Sequence, residues 1–260
     1  MISLKSRGAL IAIEIVAPIV VFFLWWTLSA NSTSAFFPPL SVILEHFKEL
    51  WIWNKFASDV LPSLTNLIIG FSSGIVLGVL LGVVFGSTRI LAWCAEPLIA
   101  FWRAIPPVAL VPIFIALIGF GNETRLLSIT LAALFPTLLA TIDGLRGVDQ
   151  VMIDVGRSFN LSRLTQLFSL RLRAASPLVF AGMQVSLQFA FVVMIASEMM
   201  GISIGIGAVT LQSQQTFKSA DMWAGILLLG IIGYLANLIF EWARYRTLRW
   251  YFASQRMESS

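Results

Sequence analysis

Arg103 and Glu198 are ionisable side chains embedded in long apolar runs, so polar chemistry inside those runs falls first to them. A charge in such surroundings is costly and normally faces a cavity or a partner, which makes a functional site the default reading. Arg103 precedes Pro106 and Pro107. Kinked backbone at that point could line a path, where a guanidinium would attract an anion and Glu198 would be a second ionisable group. For Arg103 a structural assignment is nevertheless preferred to a path role: it reaches an interface, or pairs with Glu96 or Glu198. Elsewhere the chain is poor in reactive groups. His46 is the only histidine and Cys94 the only cysteine, too few for the usual metal sets or for a disulfide within one chain. No lysine follows a glycine, so there is no Gly-Lys-Ser/Thr phosphate loop. No catalytic or metal site is expected, and His46 reads as a solvated surface residue.

What must position these residues is a strongly apolar chain. Hydrophobic residues make up 58% and charged residues 12% of the sequence, and the mean hydropathy is +0.89. Soluble domains carry about 25% charged residues, so these values place the chain in lipid. The arginines are spread between apolar runs with no single basic face, which argues against nucleic acid as a partner. A membrane helix needs about 20 predominantly apolar residues. Six candidate spans follow, at about 9–28, 60–88, 104–122, 126–142, 174–197 and 222–240. An alternative start for the third is near Ile90, with interruptions at Pro97, Pro106, Pro107 and Pro112. The expected architecture is one all-α transmembrane domain over residues 1–260, with a core at about 60–245.

Basic residues set the orientation. With the N-terminus inside, one set of flanks holds Lys5, Arg7, Arg89, Arg146, Arg157, Arg163, Arg171, Arg173, Arg244, Arg246, Arg249 and Arg256. The other holds Lys48, Lys55, Arg125 and Lys218. That bias predicts both termini on the cytoplasmic side. The first apolar run is longer than a signal-peptide core, so it is expected to be retained as a span. Trp25, Trp26, Trp51, Trp53, Trp242 and Trp250 fall near span ends, as an interfacial belt would. On the outer side, residues 38–52 carry a helical apolar pattern expected to lie at the surface.

Two patterns carry more information. Gly70, Gly74, Gly78, Gly82 and Gly86 recur every fourth residue in the second span, forming a stripe where another helix backbone can approach, within the subunit or between subunits. The inner loop 143–173 is the longest polar stretch, yet Val151, Val155, Phe159, Leu161, Leu164, Leu167 and Phe168 fall at helical spacing. Two short helices broken near Asn160 fit, since asparagine readily takes the left-handed conformation that ends a helix. An apolar-faced helix among Arg157, Arg163 and Arg171 suits another protein's groove, or equally a surface of anionic lipid.

This loop resembles the cytoplasmic loop of binding-protein-dependent ABC permeases, whose pattern runs Glu-Ala-Ala, three residues, Gly, nine residues, Ile-x-Leu-Pro. Asp154-Val155-Gly156, then Asn160, then Leu170-Arg171-Leu172-Arg173 keep that spacing, with asparagine for the glycine and Arg173 for the proline. Pro177 is then expected to mark the start of the next span. Further resemblances are Phe180-Ala181-Gly182, Ser197-Glu198-Met199 with Gly205-Ile206-Gly207, Glu96-Pro97-Leu98, and the segment from Arg103 to Pro112. Gly119 to Glu123 and Asp143 to Asp149 extend them, so that the likeness covers about residues 36–250. The upstream set is similar to the subfamily of nitrate, sulfonate, taurine, bicarbonate and thiamine-precursor permeases.

The resemblance implies a type I ABC importer fold in a bacterial inner membrane. It also implies a second permease subunit, two cytoplasmic ATPase subunits that bind ATP and magnesium, and an extracytoplasmic binding protein. A homodimer is favoured over a heterodimer. Asp154, Arg157, Phe159, Asn160, Leu161 and Ser162 would form the ATPase-coupling element, and Arg103, Pro106, Pro107 and Glu198 the translocation path. The chain itself would hold no cofactor and be no enzyme. The expected solute is a sulfonate- or nitrate-like anion, with a thiamine precursor or other heteroaromatic as the alternative. An ion-coupled secondary transporter fits less well, because no second copy of the 143–173 loop is present.

Overall fold

In the computed structural model, residues 7–201 and 204–258 are described, and they are almost wholly helical. The helices are α1 (Arg7–Ser29), α2 (Leu40–Phe47), α3 (Leu61–Ser87), α4 (Arg89–Ala104), α5 (Leu110–Ile118), α6 (Asn122–Arg146) and α7 (Gln150–Ser158). They continue with α8 (Arg163–Thr165), α9 (Leu172–Met200), α10 (Ile206–Gln215), α11 (Ser219–Thr247) and α12 (Arg249–Glu258). Four helical segments are long and apolar enough to cross a membrane: Phe56–Ser87, Asn122–Arg146, Arg163–Met200 and Ser219–Thr247. With α1 and the α4–α5 pair they make about six passes. Lys5 lies outside the described residues, as do the side chains of Arg7, Arg89 and Arg256.

The centre of the bundle is α6, gripped between α3 and α9. All five stripe glycines of α3 are buried against α6. A Cβ added at Gly70, Gly74, Gly78 or Gly82 would stand 2.5–2.8 Å from an atom of Ile129, Ala133, Leu134 or Thr141. The stripe is therefore a seam within the subunit. On the opposite face, Gly182 of α9 meets Ala140 and the Pro136 carbonyl. The buried hydroxyls of Thr137 and Ser186 bridge α6 to α9 at 2.8 Å, and Ser186 Oγ donates to the Ala133 carbonyl at 2.6 Å. Small residues allow the approach, and hydroxyls satisfy each other where no water is present.

The third pass is not one helix. Ile105 is extended at φ −88°, ψ 120°, and a 3-10 turn at Pro107–Ala109 leads into α5. Proline forces the preceding residue out of the helical region. Pro106 and Pro107 also have no N–H to offer Trp102 and Arg103, and the Ile105 N–H takes up the Trp102 carbonyl at 3.2 Å. Pro112 falls in the first turn of α5, where a missing N–H costs nothing.

Pro177 does not start a span. The helix runs unbroken from Arg163 to Met200, with a π-helical turn at Gln166–Arg171. The carbonyl that Pro177 cannot serve, that of Arg173, accepts the Ser176 hydroxyl at 2.7 Å instead. At the other end of the bundle, α2 packs its Leu40 and Ile43 against α10 and α11 in a core that includes Trp51, Val60, Ile206 and Ala224. Trp51 is thus 1% exposed and belongs to that core, not to an interfacial belt, whereas Trp26, Trp53, Trp242 and Trp250 are exposed. His46 is not merely solvated. Its Nδ1 lies 2.7 Å from Asp221 Oδ1, tying α2 to α11.

Candidate functional site

The loop between α6 and α9 is a fixed hairpin. Asp149 caps α7, its Oδ1 accepting the Val151 N–H at 2.9 Å. Asp154 Oδ1 then accepts from Gln150 Nε2 at 3.1 Å and from Arg157 Nη1 at 2.9 Å. The helix ends in a Schellman motif. The Leu161 N–H returns to the Gly156 carbonyl at 3.1 Å and the Asn160 N–H to the Arg157 carbonyl at 2.9 Å, with Asn160 at φ 52°. Ser162 opens the next helix, its Oγ accepting the Thr165 N–H at 3.2 Å. Gly156 is buried where the two arms meet. A Cβ there would stand 2.7 Å from Leu170 Cδ1.

The outer surface of this hairpin is apolar. Val151, Val155, Phe159, Leu164 and Phe168 are all exposed, Phe159 at 75%. Asp154, Arg157, Asn160 and Ser162 are exposed around them, and Leu161 is half-buried. Such a patch on an ordered element marks an interaction surface.

The path candidates separate. Arg103 and Pro107 line a cavity of about 290 Å³ at the α4–α5 break, walled by Trp102, Leu110, Phe135 and Phe189, with the Ser128 side nearby. Trp102 stacks on Phe135 at 5.9 Å. Arg103 is exposed and, among the described residues, makes no ion pair. Pro106 is next to the cavity without lining it. Glu198 is elsewhere, 1% exposed at the end of α9. Its Oε2 accepts the Gly207 N–H at 2.8 Å, and Arg125 supplies the positive charge beside it. The structure therefore does not bring Arg103 and Glu198 together.

Sequence reasoning missed the rest of the Glu198 cluster. Asp59, 2% exposed, accepts the Gly205 N–H at 3.0 Å, and Ser63 Oγ accepts the Ile206 N–H at 3.1 Å. Three successive amides at the start of α10 are thus held by side chains from α9, from the approach to α3 and from the first turn of α3. Gly205 is required twice: its φ is +118°, and a Cβ would lie 2.5 Å from Glu198 Cδ. The available signal was the position of Asp59 and Arg125 at the very edges of uncharged runs.

Fold and site together define an all-α integral membrane protein that presents a capped, apolar-tipped hairpin at an end of its bundle. Residues 74–249 match the family described as "Binding-protein-dependent transport system inner membrane component", and the chain belongs to that family. It is 26% identical to the taurine transport system permease protein TauC of Escherichia coli, over 95% of this chain and 91% of that one. It is 28% identical to the bicarbonate transport system permease protein CmpB of Synechococcus elongatus, over 90% and 88%. A structure of the MetNI methionine ABC transporter in an inward-facing conformation superposes with a TM-score of 0.65 at 18% identity, covering 77% of this chain and 97% of that chain. That likeness speaks for the fold, which is the type I importer permease fold.

Proposed function

We propose that this chain is the permease subunit of an ATP-driven importer, carrying a small anion along an alternating-access path. Its hairpin would dock a separate cytoplasmic ATPase, which holds the ATP and magnesium, and an extracytoplasmic binding protein would deliver the solute. A second copy of the permease completes the path. The observation that carries this reading is the hairpin from Asp149 to Ser162, capped at Asp149 and Ser162, closed by a Schellman turn at Asn160 and exposing an apolar tip. Asp154, Arg157, Phe159, Asn160, Leu161 and Ser162 form its working surface. The basic bias of the flanks supports placing the hairpin and both termini in the cytoplasm.

For the solute, the named relatives carry taurine, which is a sulfonate, and bicarbonate. The cationic Arg103 in the cavity at the α4–α5 break supports an anion there. Uptake driven by ATP in vesicles containing the permease with its ATPase tests the assignment. Arg103→Gln is expected to cut uptake of an anionic solute while leaving assembly intact, and unchanged uptake kinetics would remove Arg103 from the path. A cysteine placed at Ser162 in a Cys94→Ser background is expected to react from the cytoplasmic side alone and to be shielded by the ATPase. Labelling from outside would reject the topology.

A further inference from the structure

Between the hairpin and the end of α3 lies a second cavity, of about 640 Å³, of whose lining residues the transport assignment uses only Arg157. Its polar lining residues are Arg157, Arg163, Arg171, Ser87, Thr88 and Gln166, with no carboxylate among the lining residues. Arg171 is locked in place. Its Nη2 donates to the Leu145 carbonyl at 3.1 Å and the Gly86 carbonyl at 3.4 Å, and its Nη1 to the Ser87 carbonyl at 3.5 Å. Those carbonyls end α3 and α6, so Arg171 also answers the negative poles of two helices. Arg157 is partly balanced by Asp154 at 2.9 Å. Arg163 makes no ion pair among the described residues. The cavity therefore gathers more positive charge than its neighbours neutralise, in a volume typical of small-ligand sites.

Its place in the fold narrows the ligand. Ser87 and Thr88 terminate a membrane-spanning helix, which puts the cavity at the level where lipid headgroups meet the protein. Basic pockets at the ends of spanning helices suit phosphate headgroups, and the Thr88 hydroxyl beside the guanidinium side chains adds a neutral donor, whereas the Ser87 hydroxyl is already given to the Val83 carbonyl.

We propose that this cavity binds a phosphate-bearing anion, supplied either by an acidic phospholipid headgroup or as free phosphate, with Arg163 as the main free cation. A phosphate there would bridge the hairpin, through Arg157 and Arg163, to the end of α3, and so brace the hairpin on the bundle. The inference stands apart from the assignment of transport, because it concerns binding by this chain alone.

The test uses the purified full-length chain. In neutral micelles, mass spectrometry of the intact protein measures retention of phosphatidylglycerol against phosphatidylcholine, and equilibrium dialysis with labelled inorganic phosphate measures the free anion. The wild type is expected to prefer phosphatidylglycerol, or to bind inorganic phosphate without lipid; the first result assigns a lipid source and the second a soluble one. Arg163→Gln, at an exposed position, is expected to weaken whichever is bound by about fivefold, the effect of one surface cation on an acidic headgroup. Added potassium chloride is expected to weaken wild-type binding as well. Equal retention of the two lipids together with no phosphate binding overturns the proposal. So does an Arg163→Gln variant of unchanged melting temperature that binds like wild type.

Discussion

Replacing Gly74 with alanine tests the α3–α6 seam directly. The added methyl would lie 2.5 Å from the Ala133 Cβ and 2.6 Å from the Thr130 carbonyl oxygen. Carbons in good contact stand about 3.5–4.0 Å apart, so α3 and α6 would separate locally by roughly 1 Å. Neither neighbour can rotate away, since one is a backbone oxygen and the other a Cβ. Overpacking of this kind costs about 1–3 kcal/mol. Alanine's helix preference over glycine returns about 0.5–1 kcal/mol. The net expectation is a loss of roughly 1–2 kcal/mol, the difference of those two ranges near their centres. Gly230 in α11 supplies the control, because a Cβ there meets nothing within 4 Å. Gly230→Ala should collect the helix preference alone. Thermal unfolding of both variants in one detergent is the assay. For a chain of this size each kcal/mol moves the midpoint by about 2–4 °C, so Gly74→Ala should melt roughly 2–8 °C below wild type. Gly230→Ala should melt at or slightly above it. A Gly74→Ala protein as stable as Gly230→Ala would refute the seam.

Two further outcomes follow from local geometry. Asn160→Gly should keep or slightly tighten the hairpin, whereas Asn160→Val at φ 52° should cost about 1–2 kcal/mol and speed hydrogen exchange at the amides of 160 and 161; equal protection in both variants would show that the Schellman turn does not hold the hairpin. Gly205→Ala should displace Glu198 and destabilise the protein by more than about 2 kcal/mol, from backbone strain and overpacking together; a melting temperature within a degree or so of wild type would contradict the packing described here.

Most of the fold was legible because membrane passes obey two short-range rules, length and apolarity. The glycine stripe and the hairpin were legible for a related reason: both are periodic patterns on single elements. Failures came where the outcome depended on a neighbour. Pro177 reads as a helix start in isolation, but Ser176 satisfies the carbonyl it strands, and the helix continues. Trp51 sits near a span end and reads as an anchor. The packing of α2 onto α10 and α11 closes over it.

The two embedded charges show most clearly what sequence withholds. Arg103 and Glu198 look alike along the chain, each an ionisable residue in an apolar run. In three dimensions Glu198 is committed: it accepts the Gly207 N–H in a cluster with Asp59 and Ser63 that secures the first amides of α10. Asp59 and Ser63 lie more than a hundred residues from Glu198 along the chain, so no spacing rule could have gathered them. Arg103 sits beside backbone broken by two prolines and lines a cavity walled by aromatic rings. An ionisable group whose hydrogen bonds already hold a turn cannot give them to a passing solute without releasing that turn. One that lines an open cavity, with no ion-pair partner among the described residues, can. The difference places Glu198 in the scaffold, and under the proposed function Arg103 is the charge left for an anion.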